Sequence, residues 1–150
     1  MKEHEALIAL KKIDVDNFDD IIALSVREDQ RELVTTNVES LAQVYVQPEC
    51  IPLAVYDGAL PVGFLMYCLE WEPNEYWLYR LMIDARYQGR GYGRAALAQV
   101  LERVKRNPAH HRLFLGVDPA GVASVALYQS LGFRFDGRQY GKEKIMVLEW

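Results

Sequence analysis

A glycine-rich loop directly before a helical segment is the part of this sequence best suited to chemistry. The loop is Gln88-Gly89-Arg90-Gly91-Tyr92-Gly93, and the apolar residues after it recur at helical spacing to about Arg106. The start of a helix presents unpaired N–H groups and partial positive charge, and glycine lets a phosphate reach the backbone without a Cβ in the way. The spacing therefore predicts a pyrophosphate site at this loop.

Two common nucleotide-binding loops do not fit these residues. A phosphate loop of the Walker type needs Lys and then Ser or Thr after its last glycine, where this chain has Arg94 and Ala95. A dinucleotide fingerprint needs a third glycine at position 94 and a series of β-α-β units, and this chain is too short and too rich in hairpins to supply them. We therefore expect the pyrophosphate to belong to another kind of ligand.

The elements around the loop predict a single mixed α/β domain over residues 1–150. Apolar alternation and turn residues predict strands over Leu7–Ile13, Pro52–Tyr56, Leu60–Tyr67, Tyr76–Ile83, Arg112–Val117, Phe133–Phe135 and Lys144–Glu149. Helical spacing predicts one helix that begins at Asp16-Asn17 and others over Thr36–Tyr45, Arg94–Arg106 and Val122–Leu131. Because most neighbouring strands are joined by short turns while the glycine loop enters a crossover helix, we expect one mixed, mostly antiparallel sheet of about six to seven strands with about four helices.

Charge is segregated along the chain. The 150 residues are 51% apolar and 25% charged, which is typical of one globular domain with a core. Residues 1–85 hold 6 Lys or Arg and 16 Asp or Glu, residues 86–112 hold 7 and 1, and residues 113–150 hold 4 of each. This pattern indicates an anionic ligand at 86–112 and a cationic one elsewhere. Nucleic acid is disfavoured, because an acidic chain repels a phosphate backbone over most of its surface.

The sequence also argues against a membrane or secreted protein. Its most apolar run, Leu60–Leu69, is shorter than the roughly 20 residues of a spanning helix and contains Pro61 and Gly63. The first residues include two glutamates where a secretory leader has a basic stretch. We therefore expect no membrane segment and a cytoplasmic location.

Cysteines and histidines are few. Cys50 and Cys68 cannot form a disulfide framework and lack metal-binding partners at short spacing, so we expect buried thiols and no metal site. We expect His4, His110 and His111 to be exposed to solvent. A pair of unlinked thiols is typical of a reducing compartment.

Two blocks of the sequence resemble the GCN5-related N-acetyltransferase family. The first is the Gln88–Gly93 loop, preceded on a predicted strand by Leu81-Met82-Ile83-Asp84, and the second is Ala126-Leu127-Tyr128-Gln129-Ser130-Leu131-Gly132-Phe133. Both blocks stand in the order and at the separation expected of the family. The segments Val26–Leu41 and Val62–Tyr67 are similar, more narrowly, to the small bacterial spermine/spermidine acetyltransferases.

The resemblance implies a cleft between two neighbouring parallel strands, with acetyl-CoA bound in it. The pantetheine arm would pair like an extra strand with the backbone of Leu81, Met82 and Ile83. The residues that would hold the pyrophosphate are Gln88, Gly89, Arg90, Gly91, Tyr92, Gly93 and Arg94. Two or three basic side chains would contact the phosphates, out of the set Arg86, Arg90, Arg94, Arg103, Lys105 and Arg106.

The resemblance also implies a catalytic residue. Direct transfer from a thioester to an amine needs a neutral amine, donors for the oxyanion and a proton for the departing thiolate. In the family a tyrosine of the later helix gives that proton, and Tyr128 occupies its place. A phenol with the ordinary pKa near 10 stays protonated at neutral pH. We expect the oxyanion donor to be a backbone N–H near Met82 or Ile83.

The acceptor is predicted to be a small cationic amine. Polyamine-acetylating relatives tend to carry an acid at position 79, where Tyr79 cannot act as a base. The acids that could instead bind the cation or act as the base are Glu28, Glu32, Glu70, Glu72 and Asp84. The aromatic side chains that could wall a cation-binding groove together with Tyr79 are Trp71, Tyr76 and Trp77.

Two further residues depart from the family pattern, since Gly121 replaces a common Asn and Ser124 a common Ala. The preferred interpretation is an acetyl-CoA-dependent N-acetyltransferase for a polyamine such as spermidine or spermine. Two alternatives stay open: an acetyltransferase for another amine (a protein N-terminus, a lysine or a drug-like amine), and a non-catalytic module that binds acyl-CoA. The resemblance also suggests a homodimer, since this fold often dimerises through its terminal strands.

Overall fold

The computed structural model describes residues 7–150, in which seven strands form one sheet. The strands are β1 (Ile8–Lys12), β2 (Cys50–Asp57), β3 (Leu60–Leu69), β4 (Tyr76–Ile83), β5 (Arg112–Val117), β6 (Arg134–Tyr140) and β7 (Glu143–Glu149). The helices are α1 (Phe18–Ala23), α2 (Asn37–Val46), α3 (Tyr92–Lys105) and α4 (Val122–Ser130), with short 3₁₀ turns at Glu28–Gln30 and Ala85–Tyr87.

The sheet is mixed, with strand order β1-β2-β3-β4-β5-β7-β6. Every neighbouring pair is antiparallel except β4 and β5, which are parallel and are joined by the crossover helix α3. The predicted turn at Asp57-Gly58 joins β2 to β3, and Gly58 has the positive φ of 59° that such a turn requires. The predicted fold class is confirmed, since these seven strands and four helices are the architecture expected of the acetyltransferase family.

The sheet buries apolar side chains on both faces. Helices α3 and α4 cover one face, where Leu65 of β3 packs with Leu97 and Val100 of α3. Helices α1 and α2 cover the other, where Phe64 and Met66 of β3 pack with α1. Successive side chains of a strand point to opposite faces, so a strand buried on both sides reads as one continuous apolar run. This explains why β3 is the most apolar segment of the chain.

Two predicted boundaries change in the structure. Helix α3 begins at Tyr92, two residues before the predicted start, because Gly91 takes a left-handed φ of 85° and caps the helix. Strand β6 extends from Arg134 to Tyr140, beyond the predicted Phe133–Phe135, because its outer residues are exposed and polar and show no apolar alternation.

None of the helices within residues 7–150 is both long enough and apolar enough to cross a bilayer.

The prediction that His110 is exposed is wrong. It is 8% exposed, and its ring packs edge-on against Tyr76 with the centroids 4.9 Å apart, because the turn after α3 brings it back against the sheet. His111 is exposed as predicted, and His4 lies outside the described residues. Cys50 and Cys68 are buried free thiols, as predicted, and burial raises the pKa of Cys68 to about 12.

Candidate active site

The two parallel strands separate along half of their length. Strand β4 pairs with β5 only from Tyr76 to Leu78, although β4 continues to Ile83. The pairing of β4 with β3 shifts at this point and leaves Tyr79 as the extra residue of a β-bulge. A cavity of about 370 Å³ fills the opening, and it is lined by residues of β4, of the end of β5, of the 32–35 segment and of the start of β7. We call it the cleft cavity.

The far half of β4 supplies the edge predicted for the pantetheine arm. Leu81 and Met82 line the cleft cavity, and β3 supports this segment from behind. The support is close, because a Cβ built on Gly63 of β3 would lie 2.5 Å from the carbonyl oxygen of Met82. The backbone of β4 beyond Leu78 is therefore free of β5 and firmly held by β3.

The glycine loop is anchored on both sides. The Gln88 side chain donates to the Ile83 carbonyl oxygen at 2.9 Å and pairs with the Gln30 amide at 2.8 Å. The Tyr92 hydroxyl donates to Asp57 of the β2–β3 hairpin at 2.5 Å. Gly89 has a positive φ of 78°, which a side chain rarely adopts. These contacts hold the loop and the start of α3 at the end of β4, and the start of a helix can bind an anion.

Six of the seven basic residues of 86–112 divide into two groups, and the seventh, Arg112 of β5, pairs with Glu75. Arg86 and Arg90 lie beside the loop over the Tyr87 ring, and Arg94 lies in the first turn of α3 and donates to Ser130. The other group, at the far end of the helix, is Arg103, Lys105 and Arg106. The nearest members of the two groups, Arg94 and Arg103, are separated along the helix axis by roughly 14 Å, since each residue adds about 1.5 Å. Only the first group lies close to the loop.

Tyr128 is held by the end of α4. Gly132, with φ 100°, lets the Phe133 N–H donate to the Tyr128 carbonyl oxygen and its own N–H donate to that of Gln129, both at 3.0 Å. This is the Schellman arrangement, and it packs the Phe133 ring edge-on against the Tyr128 ring at 5.8 Å. The Gly-Phe pair that follows the helix thus fixes the direction of the tyrosine.

The Tyr128 side chain lines the cleft cavity although only 8% of the residue is exposed. Burial raises the pKa of Tyr128 to about 12, and the negative charge of Glu143 adds to the effect. The phenol therefore carries its proton throughout the neutral range. Gly121 and Ser124, which precede it, line the same cavity.

Of the predicted substrate-binding residues, the structure brings Glu32 and Tyr79 to the cleft cavity. Glu28 and Glu72 are exposed outside it, and Glu70 accepts a hydrogen bond from the Tyr79 hydroxyl at 2.5 Å. Burial and this hydrogen bond raise the pKa of Tyr79 well above its ordinary value. Tyr79 is therefore a proton donor to Glu70 and is not available as a base.

Asp84 is buried away from the cavity and joins two segments of backbone. It accepts hydrogen bonds from the Ser25 N–H at 3.0 Å, the Arg86 N–H at 3.0 Å and Arg86 Nε at 2.8 Å. Burial by itself would raise the pKa of Asp84, but these hydrogen bonds and the Arg86 charge outweigh it and lower the pKa. The hydrogen bonds of the Asp84 carboxylate are therefore made with the protein itself, outside the cleft cavity.

The structure does not form the predicted aromatic groove. Trp71 is 71% exposed in the β3–β4 loop, while Tyr76 faces α3 and packs against His110. Trp77 stacks on Phe114, with centroids 5.1 Å apart. The groove prediction is wrong because neighbouring strand residues point to opposite faces.

Sequence reasoning missed four charged residues of the cleft cavity. They are Arg80 of β4, Asp118 after β5, Lys142 of the β6–β7 turn and Glu143 of β7. No local signal marks the last two, because they reach the cavity only through the pairing of β7 with β5. Among residues 7–150, no group of three His, Cys, Asp or Glu side chains is placed to hold a metal ion.

A sheet that opens between parallel strands, with a glycine loop at a helix start and a protonated phenol in the opening, defines an enzyme that uses an acyl-CoA. Residues 10–133 match the model of the Acetyltransferase (GNAT) family. The chain belongs to this family. It is an N-acetyltransferase that moves an acetyl group from acetyl-CoA to an amine.

Relatives cover almost the whole chain. The spermine/spermidine N(1)-acetyltransferase of Bacillus subtilis is 30% identical over 149 residues, which cover 95% of this chain and 98% of that protein. The spermidine N-acetyltransferase of Vibrio cholerae, solved with CoA and spermine, has a TM-score of 0.75 at 15% identity, with 96% of each chain covered. An aminoglycoside acetyltransferase solved with coenzyme A has a TM-score of 0.78 at 15% identity, with 95% of this chain and 94% of that chain covered.

Proposed function

We propose that this enzyme acetylates a primary amine of a polyamine, with spermidine or spermine as the first candidates. The observation that carries the proposal is the acidic wall of the cleft cavity, formed by three carboxylates, Glu32, Asp118 and Glu143, which outnumber the two cations of the lining, Arg80 and Lys142. A cationic amine is attracted to carboxylates beside the thioester. The 30% identity to a spermine/spermidine acetyltransferase over nearly full length supports the same substrate class. The buried free thiols support a cytoplasmic setting.

The reaction in this proposal is a direct attack. The neutral amine nitrogen bonds to the thioester carbon, and the carbonyl electrons move to oxygen. A backbone N–H of the β4 segment near Met82 or Ile83 stabilises that oxyanion. The C–S bond then breaks, and Tyr128 donates its proton to the thiolate. The position of Tyr128 in the cavity and its raised pKa support this role.

Arg80 favours a second candidate, an amine that also carries a carboxylate, such as an amino acid or a peptide. Arg80 is a lining residue of the cleft cavity, and its guanidinium donates to Gln43 and to the Tyr79 carbonyl oxygen, both at 2.9 Å. Among residues 7–150, its buried Nε has no hydrogen-bond partner. A donor of this kind suits a substrate carboxylate.

The experiment measures the release of free thiol from acetyl-CoA in the presence of a panel of amines. The panel contains spermidine, spermine, amino acids, a peptide with a free N-terminus and a monoamine whose side chain is uncharged. We expect the highest kcat/KM for the polyamines. Their KM should rise with salt, because exposed charges are screened over about 8–10 Å, while the KM of the monoamine should change less.

Each other outcome has its own meaning. Preference for amino acids or peptides would favour the second candidate. A polyamine KM that does not depend on salt would contradict the acidic wall as the binding feature. Binding of CoA without thiol release for any amine would identify a non-catalytic module.

A further inference from the structure

An amine acetyltransferase must deprotonate its substrate. An aliphatic ammonium resembles that of lysine, with a pKa near 10.4, so at pH 7 roughly one molecule in 2,500 is neutral. The position where polyamine-acetylating relatives carry an acid holds Tyr79, which donates to Glu70. A base must therefore come from elsewhere in the cleft cavity.

Glu143 is a carboxylate that the sheet places in the lining of the cleft cavity. It is the first residue of β7, whose pairing with the end of β5 joins Ile145 to Gly116 and Lys144 to Val117. A Cβ built on Gly116 would lie 3.2 Å from Glu143 Cδ and 3.2 Å from its Oε1. The missing side chain at Gly116 thus leaves the space that the carboxylate occupies.

Glu143 and Tyr128 also share one opening. Both line the cleft cavity, and repulsion by the Glu143 charge contributes to the raised pKa of Tyr128. A carboxylate and a protonated phenol in one opening are the acceptor and the donor that the reaction needs.

The other charged groups that face this space leave Glu143 the better candidate. Arg80 and Lys142 also line the cavity, and both carry positive charge. Glu32 and Asp118 line the cavity from the segment before α2 and from the segment after β5, where Asp118 accepts a hydrogen bond from the Ala120 N–H. Glu143 differs from both because its carboxylate lies against Gly116 at the end of β5 and because its charge contributes to the raised pKa of the proton donor, Tyr128.

We propose that Glu143 is the general base for the acceptor ammonium. This inference rests on the proposed amine acetylation. The carboxylate accepts one ammonium proton, directly or through a water molecule, and the freed electron pair of nitrogen attacks the thioester carbon. Tyr128 gives its proton to sulfur and regains one from the second N–H that the tetrahedral intermediate loses. Glu143 passes its proton to solvent, so one proton is released in each turnover.

The test compares Glu143→Gln with the wild type over pH 7 to 10, with spermidine as acceptor. At pH 7 we expect kcat/KM to fall by about 100-fold with an unchanged KM for acetyl-CoA. The deficit should shrink below about tenfold near pH 10, because the amine then arrives neutral. A fluorinated, weakly basic amine that is already neutral at pH 7 should show almost no deficit.

Glu149→Gln is the matched control, since Glu149 lies on the same strand and pairs with Arg134 at the other end. It should behave as the wild type. A Glu143→Gln enzyme as active as the wild type, or a deficit that is constant with pH or confined to the KM for spermidine, would overturn the assignment. A pH-dependent deficit in Glu32→Gln instead would transfer the role to Glu32. A wild type that releases no thiol with any amine would reject the proposed function itself.

Discussion

Tyr128 combines two properties that a proton donor to a thiolate requires. It is buried enough for its pKa to rise to about 12, and its side chain still lines the cleft cavity. Removal of the hydroxyl leaves the ring and its contact with Phe133 in place. The role can therefore be tested with little disturbance of the fold.

We expect Tyr128→Phe to lower kcat by about 10²- to 10⁴-fold at saturating acetyl-CoA, with a melting temperature near that of the wild type. In the wild type, kcat should show no loss from ionisation of this phenol up to about pH 10, because the folded-state pKa lies near 12. Steady-state kinetics across pH provide both readouts. Wild-type kcat in the variant would reject the role.

Substitution of Asp84 tests how much its hydrogen-bonded carboxylate contributes to the free energy of unfolding. Its pKa is lowered in the folded state, so its contribution is fully present above the ordinary value of 3.8 and is lost as pH falls through the folded-state pKa. We expect Asp84→Asn to lower the free energy of unfolding by about 1–3 kcal/mol at pH 7. The difference from the wild type should shrink below pH 3.8 in urea unfolding experiments.

Asp136→Asn is the matched control for that variant. Asp136 accepts bonds from the Arg138 N–H and Nε, just as Asp84 does from Arg86, but it lies on the outer strand β6. We expect a loss of less than about 1 kcal/mol, as for other surface ion pairs. Equal losses in the two variants would contradict the importance of the bond from Asp84 to the Ser25 backbone.

At the scale of elements, the end of α4 links helix termination to catalysis. Gly132 has φ 100°, and a Cβ there would lie 3.1 Å from Leu148 Cδ1. Gly137 of β6 has a similar φ of 95°, and a Cβ added there would meet no atom within 4 Å. Both glycines therefore have a positive φ, but only at Gly132 would a side chain meet a neighbouring atom.

We expect Gly132→Ala and Gly137→Ala each to cost about 1–2 kcal/mol of stability, because a side chain disfavours the left-handed region. Only Gly132→Ala should also lower kcat, since it disturbs the turn that holds the Tyr128 carbonyl oxygen. Thermal unfolding and steady-state kinetics of both variants measure the two effects. Equal kcat values would show that the turn does not position the tyrosine.

At the scale of the whole molecule, basic and acidic residues lie in separate regions. The basic stretch 86–112 begins at the glycine loop, whereas the acidic wall of the cleft cavity is formed by residues far apart in the chain, Glu32, Asp118 and Glu143. In the proposed reaction the polyanionic cofactor is held at the loop and the cationic amine in the cleft cavity.

The position of the basic residues along α3 should decide their effect on the cofactor. We expect Arg90→Ala, beside the loop, to raise the KM for acetyl-CoA about two- to fivefold at low salt, and the effect to fade at high salt. Arg106→Ala, at the far end where Arg106 pairs with Glu102, should leave that KM unchanged. Equal effects would contradict a phosphate site at the loop.

The sequence by itself determined the features that depend on neighbouring residues. The helix stop at Gly132, the hairpin at Asp57-Gly58 and the glycine loop each follow from the backbone freedom of glycine, so a short window of sequence is enough to predict them. The short turns between strands and the helical period of α3 predicted the mixed sheet and the crossover helix. The role of Tyr128 followed from the resemblance of its block to the family.

Only the tertiary structure decided which charges share the cleft cavity. Glu143 lines this cavity because β7 pairs with β5. Asp84 lies outside the cavity and accepts a hydrogen bond from the backbone of Ser25, 59 residues away in the chain. Burial of His110 likewise depends on a fold-back onto Tyr76. Such contacts join residues distant in the chain, and the pairing register and the β-bulge at Tyr79 that create them arise only when the sheet assembles.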